Sequence, residues 1–256
     1  MKTWQKNTLQ LLAAMFVALI GTQVLRYALL FYMAGVPALR WPSLGGVENS
    51  TDTTPIALQI GDKHFRIPRN YLWDKSTWKG GEMTDLSLWA LLPDFEGYTE
   101  ANQAEFDRLG WHQEIRFRLE LQNSPSGAYS SSGTRRSVYQ RKIDMLISFI
   151  NPKQAYTIKN LPTPYGLIRQ QFIPEPRFEF SEMYVGKTAD GRFYWVKCRR
   201  DADVPSPSCS SRLEYSVHVT IDYSFAKNRL GDWQAIDDGL IALLRRFEIH
   251  PPKEKS

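Results

Sequence analysis

Leu213-Glu214-Tyr215-Ser216-Val217-His218-Val219-Thr220-Ile221-Asp222-Tyr223-Ser224-Phe225 alternates apolar and polar residues without a break. Successive side chains of an extended chain point to opposite faces, so this period of two predicts a long strand with one face in a core. Just upstream lies Cys209, and ten residues separate it from Cys198, which is preceded by the strand-like run Phe193-Tyr194-Trp195-Val196-Lys197. Two strands joined by a loop holding Pro205 and Pro207 make a hairpin that brings Cys198 and Cys209 within bridging distance. A bridge closing so short a loop stabilises by roughly 3 kcal/mol in the chain-entropy model. Such bonds persist in oxidising compartments, so the domain is expected outside the cytoplasm. The stapled loop displays Arg199, Arg200, Asp201 and Asp203. A preordered charged loop loses little entropy on docking, which makes these four residues the candidate partner-contact surface.

Moving outward, Ile56–Ile60 and His64–Ile67 around Gly61-Asp62 read as a short hairpin, and Leu86 to Leu92 as a strand stopped by Pro93. Thr99 can cap a short helix that runs to Leu109, with Gly110 as its stop. Ile115, Phe117, Leu119 and Leu121 alternate with charged residues, as a half-buried strand does. Residues 122–134 are a loop by composition. Residues 137–150 fit a helix through Ile143, Leu146, Ile147 and Ile150, and a strand through Tyr139, Ile143, Met145, Ile147 and Phe149. Pairing back across the preceding loop favours the strand. Residues 155–172 hold two strands around Pro162-Thr163-Pro164, and Met183–Gly186 pairs with Phe193–Cys198 across a turn containing Asp190-Gly191. At the C-terminus Trp233, Ile236, Leu240, Leu243, Leu244 and Phe247 fall on one face of a helix, with Asp232 as its N-cap. The expected fold is α+β: an antiparallel sheet domain with a short helix and a C-terminal amphipathic helix packed on the sheet.

The other end of the chain has a different character. Asn7 to Leu25 is 19 residues without a charge, and apolar residues resume after Arg26. About 20 helical residues cross the roughly 30 Å of a hydrocarbon core, so residues 9–33 are expected to form a transmembrane signal anchor. Residues 1–8 are then a cytoplasmic tail, 34–55 a linker rich in Gly, Pro, Ser and Thr, and 56–256 the extracytoplasmic domain. Arg26 is the intramembrane or interfacial charge, its long stem able to carry the cation to the headgroups. The basic residues flanking the span nearly balance, so orientation rests on the cysteines.

The chain of 256 residues has a formal charge of +5. Residues 1–47 contain Lys2, Lys6, Arg26 and Arg40 and no acid, which leaves 28 basic and 27 acidic side chains in the rest. A body so nearly neutral argues against a dedicated nucleic-acid-binding domain. His64, His112, His218 and His250 are scattered without ligand spacing, so neither a metal nor another cofactor is expected. Ser76-Thr77-Trp78-Lys79 matches an acyl-transfer pattern but runs into Gly80-Gly81 and lacks its companion motifs. Asp201-Ala202-Asp203 lacks the alternating strand–helix core that nucleotide-sugar chemistry needs. Asp94 with Glu96, and Asp237 with Asp238, are explained by turns and helix capping. Trp73, Trp78, Trp89 and Trp111 cluster in the first half, where aromatic residues serve a core or a recognition surface.

These readings converge on a single-pass protein of the inner membrane, bound to the lipid bilayer through its N-terminal helix. Its extracytoplasmic domain lacks a recognisable catalytic constellation and would bind another envelope or secreted protein. An immunity-type inhibitor of a delivered toxin is one form of this; an envelope-complex subunit is another. The alternative is an anchored envelope hydrolase or glycan-binding module. It requires a cleft holding a carboxylate of raised pKa beside Trp or Tyr.

Overall fold

The computed structural model describes residues 49–122, 134–148, 157–175 and 181–249. The expected membrane span, Arg26 and most of the linker lie outside the described residues. Among the described residues no helix is long and apolar enough to cross a membrane. The fold is sheet-rich α+β, with a C-terminal helix packed on antiparallel strands, as the sequence pattern implies.

In chain order the strands are β1 (Pro55–Ile60), β2 (Lys63–Pro68), β3 (Gly81–Met83), β4 (Asp85–Leu91), β5 (Glu114–Leu121), β6 (Thr157–Pro162), β7 (Ile168–Ile173), β8 (Ser181–Lys187), β9 (Phe193–Arg199), β10 (Ser208–Glu214), β11 (Val219–Ala226) and β12 (Glu248–Ile249). The α-helices are α1 (Gln103–Asp107), α2 (Arg135–Ser148) and α3 (Trp233–Phe247). An eight-stranded antiparallel sheet runs β4-β5-β11-β10-β9-β8-β7-β6, and a small sheet runs β12-β2-β1-β3. In the small sheet β1 pairs β3 in parallel, and the other pairs are antiparallel. The main core lies between one face of the large sheet and a second layer made of α3 and the small sheet. Leu86, Leu88, Phe117, Leu119, Ile221 and Phe225 meet Ile60, Phe65, Leu240 and Leu244 there. On the opposite face α2 packs over Phe172, Met183 and Trp195 through Val138 and Ile143.

The thirteen-residue alternation is not one strand. The chain reverses at Tyr215–His218, so the stretch supplies the end of β10 and most of β11. The Ser216 hydroxyl accepts from the amides of His218 (3.2 Å) and Val219 (3.1 Å) and fixes the turn. Because Leu213 pairs with Ile221, odd-numbered residues face the core on both strands and the alternation runs through unbroken. Only Val217, at the tip, departs from it; its side chain is 81% exposed.

Residues 137–150 also correct the expectation, because 135–148 are helix α2. Both edges of β5 are taken, by β4 and β11, so no place is left for a strand returning across the 122–134 loop. Thr134 opens the helix: its carbonyl accepts from Val138 (2.9 Å) and its hydroxyl from the Ser137 amide (3.2 Å). Asp232 makes no cap hydrogen bond to α3 and instead lies 3.4 Å from Arg229. Asp237 is not a capping residue; its carboxylate is fully buried.

Gly239 marks the closest approach of α3 to the 92–98 turn. A Cβ there would come within 2.2 Å of the Phe95 ring. Phe95 itself holds a φ of 56°, so the ring has little room to yield. Gly239→Ala should therefore destabilise by about 1–3 kcal/mol through overpacking, although alanine favours helix. Adding Phe95→Leu should recover part of the loss in chemical denaturation. A more stable single variant would contradict this account of the contact.

Candidate interaction surface

Strands β9 and β10 form the least regular seam of the large sheet. They pair at Cys198–Cys209, Lys197–Ser210 and Val196–Ser211, then part. The disulfide Cys198–Cys209 closes one end of this short ladder, and both sulfur residues are fully buried. Arg135, from the first turn of α2, occupies the parted end. Its Nε donates to the Arg212 carbonyl on β10 and its Nη1 to the Phe193 carbonyl on β9 (3.4 Å). Its Nη2 reaches Asp237 Oδ1 on α3, on the other side of the sheet. The Tyr223 hydroxyl donates to the same oxygen (2.7 Å), and Trp195 Nε1 donates to the Arg135 carbonyl (2.9 Å). The guanidinium lies 5.0 Å over the Tyr194 ring. Burial disfavours the Arg135 cation, but the charge of Asp237 and its hydrogen bond to the guanidinium outweigh it and hold the group above its ordinary range. Burial likewise pushes the Tyr223 phenol well up.

Beyond the disulfide, the predicted contact residues divide. Arg200 pairs with Glu175 at 3.4 Å, and Asp201 with Lys227 at 2.7 Å. Lys227 also bridges to Glu182 (2.7 Å), which accepts from Arg169 (2.8 Å) and the Tyr184 hydroxyl (2.9 Å). Those two charges fix the loop. Arg199, half-buried at the end of β9, and Asp203, exposed, have no ion-pair partner among the described residues. Inside the loop Val204 is buried. The Ser206 hydroxyl accepts from the Trp111 amide (2.6 Å) and donates to the Trp111 carbonyl (2.9 Å). Gly110, at φ 89°, allows this approach, since a Cβ would meet Ser206 at 2.9 Å.

Trp111 extends the same end of the sheet. The Arg116 guanidinium sits between the Trp73 ring (4.5 Å) and the Trp111 ring (4.9 Å), and Trp73 packs on Trp89. Leu109 protrudes beside them, 69% exposed. Arginine and tryptophan are enriched among the residues that anchor protein interfaces. The sequence pattern placed Arg116 on the outer face of its strand, but nothing in it signalled the flanking rings. Glu114 pairs with Arg116; burial pushes its carboxyl up while Arg116 pulls it back.

At the opposite end of the sheet a polar cleft of about 380 Å³ is lined by Lys63, Asp190, Arg192, Glu214, Tyr215 and Glu248, with Ile241 and Arg245. Glu248 binds Lys63 (2.7 Å) and the Tyr215 hydroxyl (2.5 Å). The cleft and the carboxyl of raised pKa, Glu114, therefore lie at different ends of the sheet. Ser76 and Lys79 sit in a 3-10 turn over 75–79, where the Ser76 amide donates to Asp74. The described residues contain no group of three side chains able to hold a metal ion.

These features define a sheet-rich α+β domain with a stapled, preordered end. No protein-family model and no curated protein matches the sequence. Among solved structures the fold is similar to that of an immunity protein of the Stenotrophomonas maltophilia type IV secretion system. The TM-score is 0.52 at 16% identity, over 77% of this chain and 94% of that one. The likeness is one of fold.

The buried pair makes a prediction. Arg135→Met leaves the Asp237 carboxylate uncompensated and should cost about 3–5 kcal/mol. Combining it with Asp237→Leu should recover a large part of that loss, giving a coupling of ~1–3 kcal/mol in a double-mutant cycle. Additive losses would show that the two side chains do not act together.

Proposed function

We propose that this protein is an immunity-type inhibitor that binds a delivered toxin outside the cytoplasm. The observation that carries this reading is the fold likeness to an immunity protein across nearly all of that protein's length. Two features support it. The disulfide suits an oxidising compartment. The apolar stretch at 9–33 suits a single-pass anchor that would hold the domain on the outer face of the inner membrane. The stapled loop is the contact surface in this reading. Arg200 and Asp201 set its shape, and Arg199 and Asp203 meet the toxin.

The test is neutralisation. The full chain, co-expressed in a bacterial host with secretion-system effectors directed to the periplasm, should restore growth against one of them. Failure against every periplasm-directed effector encoded by its own organism overturns the reading. Against the neutralised effector, Arg199→Glu with Asp203→Lys should weaken binding about tenfold or more while the thermal melt stays put. Unchanged binding would move the contact away from the loop. A cysteine-accessibility map of the C-terminal domain checks which side of the membrane it occupies.

A further inference from the structure

The near-neutral body conceals a separation of charge. Residues 134–173, which supply α2, β6 and β7, contain seven Lys and Arg against Asp144 as the single acid. The rest of 48–256 therefore carries a net charge of −5. The cationic segment is also where exposed apolar side chains gather: Met145 (47%), Tyr165 (45%), Ile168 (41%) and Ile173 (47%) are four of the seven large ones exposed among the described residues. Among the described residues β6 is the terminal strand of the large sheet and pairs with β7 alone. Its outward N–H and C=O groups are a template for another strand.

The register gives this edge two chemically different sides. Lys159 shares a face with Arg169 and Gln171, turned away from α2. Ile158 shares the other face with Phe172, against which Val138 and Ile143 of α2 pack. A strand added beside β6 would meet Lys159, with Leu161 and Ile173 on the same face, on one side, and Ile158 and Ile168 on the other. Lys159 discourages the same edge of a second copy, because like charges would face each other. A nucleic acid could meet the cations but has nothing to pair with a strand edge and no counterpart for the exposed Ile168 and Ile173.

We propose that the α2–β6–β7 arm docks an extended acidic segment of a protein partner, which adds to β6 as a ninth strand. Acidic residues of that segment face Lys159, beside the Arg169–Glu182 pair, and its alternate apolar residues lie on the Ile158 side. The surface continues from the stapled loop, because the Arg200–Glu175 pair ties the loop to the chain just after β7. The proposal deepens the immunity reading by giving the chemistry of the toxin segment, and its test does not need the toxin.

The probe is a ten-residue peptide alternating Glu with Val or Thr, added to the full-length chain. A peptide with Lys in place of Glu and a 20-base-pair DNA duplex serve as comparisons. The acidic peptide should bind, slow hydrogen exchange at the amides of 157–161, and lose about tenfold or more in affinity between 50 and 500 mM salt. Lys159→Glu should weaken it by a similar factor. Lys159→Pro and Asn160→Pro remove N–H groups of opposite direction, so one of them spares the β7 ladder. The variant that keeps the wild-type melt should lose peptide binding. No binding of the acidic peptide, equal binding of the lysine peptide, tighter binding of the duplex, or protection mapped outside β6 each overturns the proposal. None of these outcomes bears on the neutralisation result, and failed neutralisation leaves the peptide result standing.

Discussion

A guanidinium that closes a parted strand ladder is the constraint on which this fold turns. Arg135 belongs to a helix on one face of the large sheet and Asp237 to a helix on the other, so their ion pair crosses the seam between β9 and β10. The two strands lose mutual hydrogen bonds where Arg135 enters. The arginine satisfies one carbonyl on each of them. A buried charge pair is weak evidence of net stability, since desolvation offsets most of the attraction. What it secures is position, because a planar cation with fixed donors tolerates one placement of α2 over the sheet. Through that placement it orients Trp195, whose indole donates to the Arg135 carbonyl, and the small cluster of Val138, Ile143, Phe172 and Met183.

At the other end of the same ladder a covalent bond does what the ion pair does here. The Cys198–Cys209 bridge holds β9 to β10 where the loop departs, so the short run of paired residues is clamped at both ends. The clamps act on different consequences. The disulfide restricts the loop that bears Arg199 and Asp203, and Ser206, Val204 and the Asp201–Lys227 pair finish that restriction. The ion pair restricts the helix and, through it, the edge of the sheet at β6 and β7. Both surfaces argued to meet a partner thus trace back to one seam.

Much of this architecture was legible from residue order. The Cys198–Cys209 hairpin, the β1–β2 and β8–β9 hairpins and the buried face of α3 follow from alternation, turn chemistry and helical spacing. The misreadings have physical causes. A four-residue turn preserves parity, so the Leu213–Phe225 run concealed a reversal that only Ser216 and the exposure of Val217 disclose. Residues 137–150 satisfy two periods at once, and the choice depended on whether β5 had a free edge, which is a matter of tertiary arrangement. Asp237 lies near a helix start and resembles a cap. Its partner is 102 residues away, and no local pattern can pair them. In the candidate surface the loop charges were legible as residues but not as roles, because their division between fixing the loop and facing outward depends on Glu175, Lys227 and Glu182.

The charge separation shows why a summed composition can mislead. A body of net +1 reads as indifferent to polyions, yet it consists of one strongly basic stretch and a compensating acidic remainder. Fields at a surface are set by the charges within about a Debye length, roughly 10 Å at 0.1 M salt; Asp237 and Glu182 already balance Arg135 and Arg169 there, and Lys159 carries the charge on the β6 edge itself. Such a patch steers encounter and sets orientation more than it sets final affinity. Affinity would come from the apolar residues and the open strand edge alongside. Cations, apolar side chains and free backbone groups lie together on the one part of the sheet with no described neighbour beyond it, and that conjunction distinguishes a recognition edge from a solvated one.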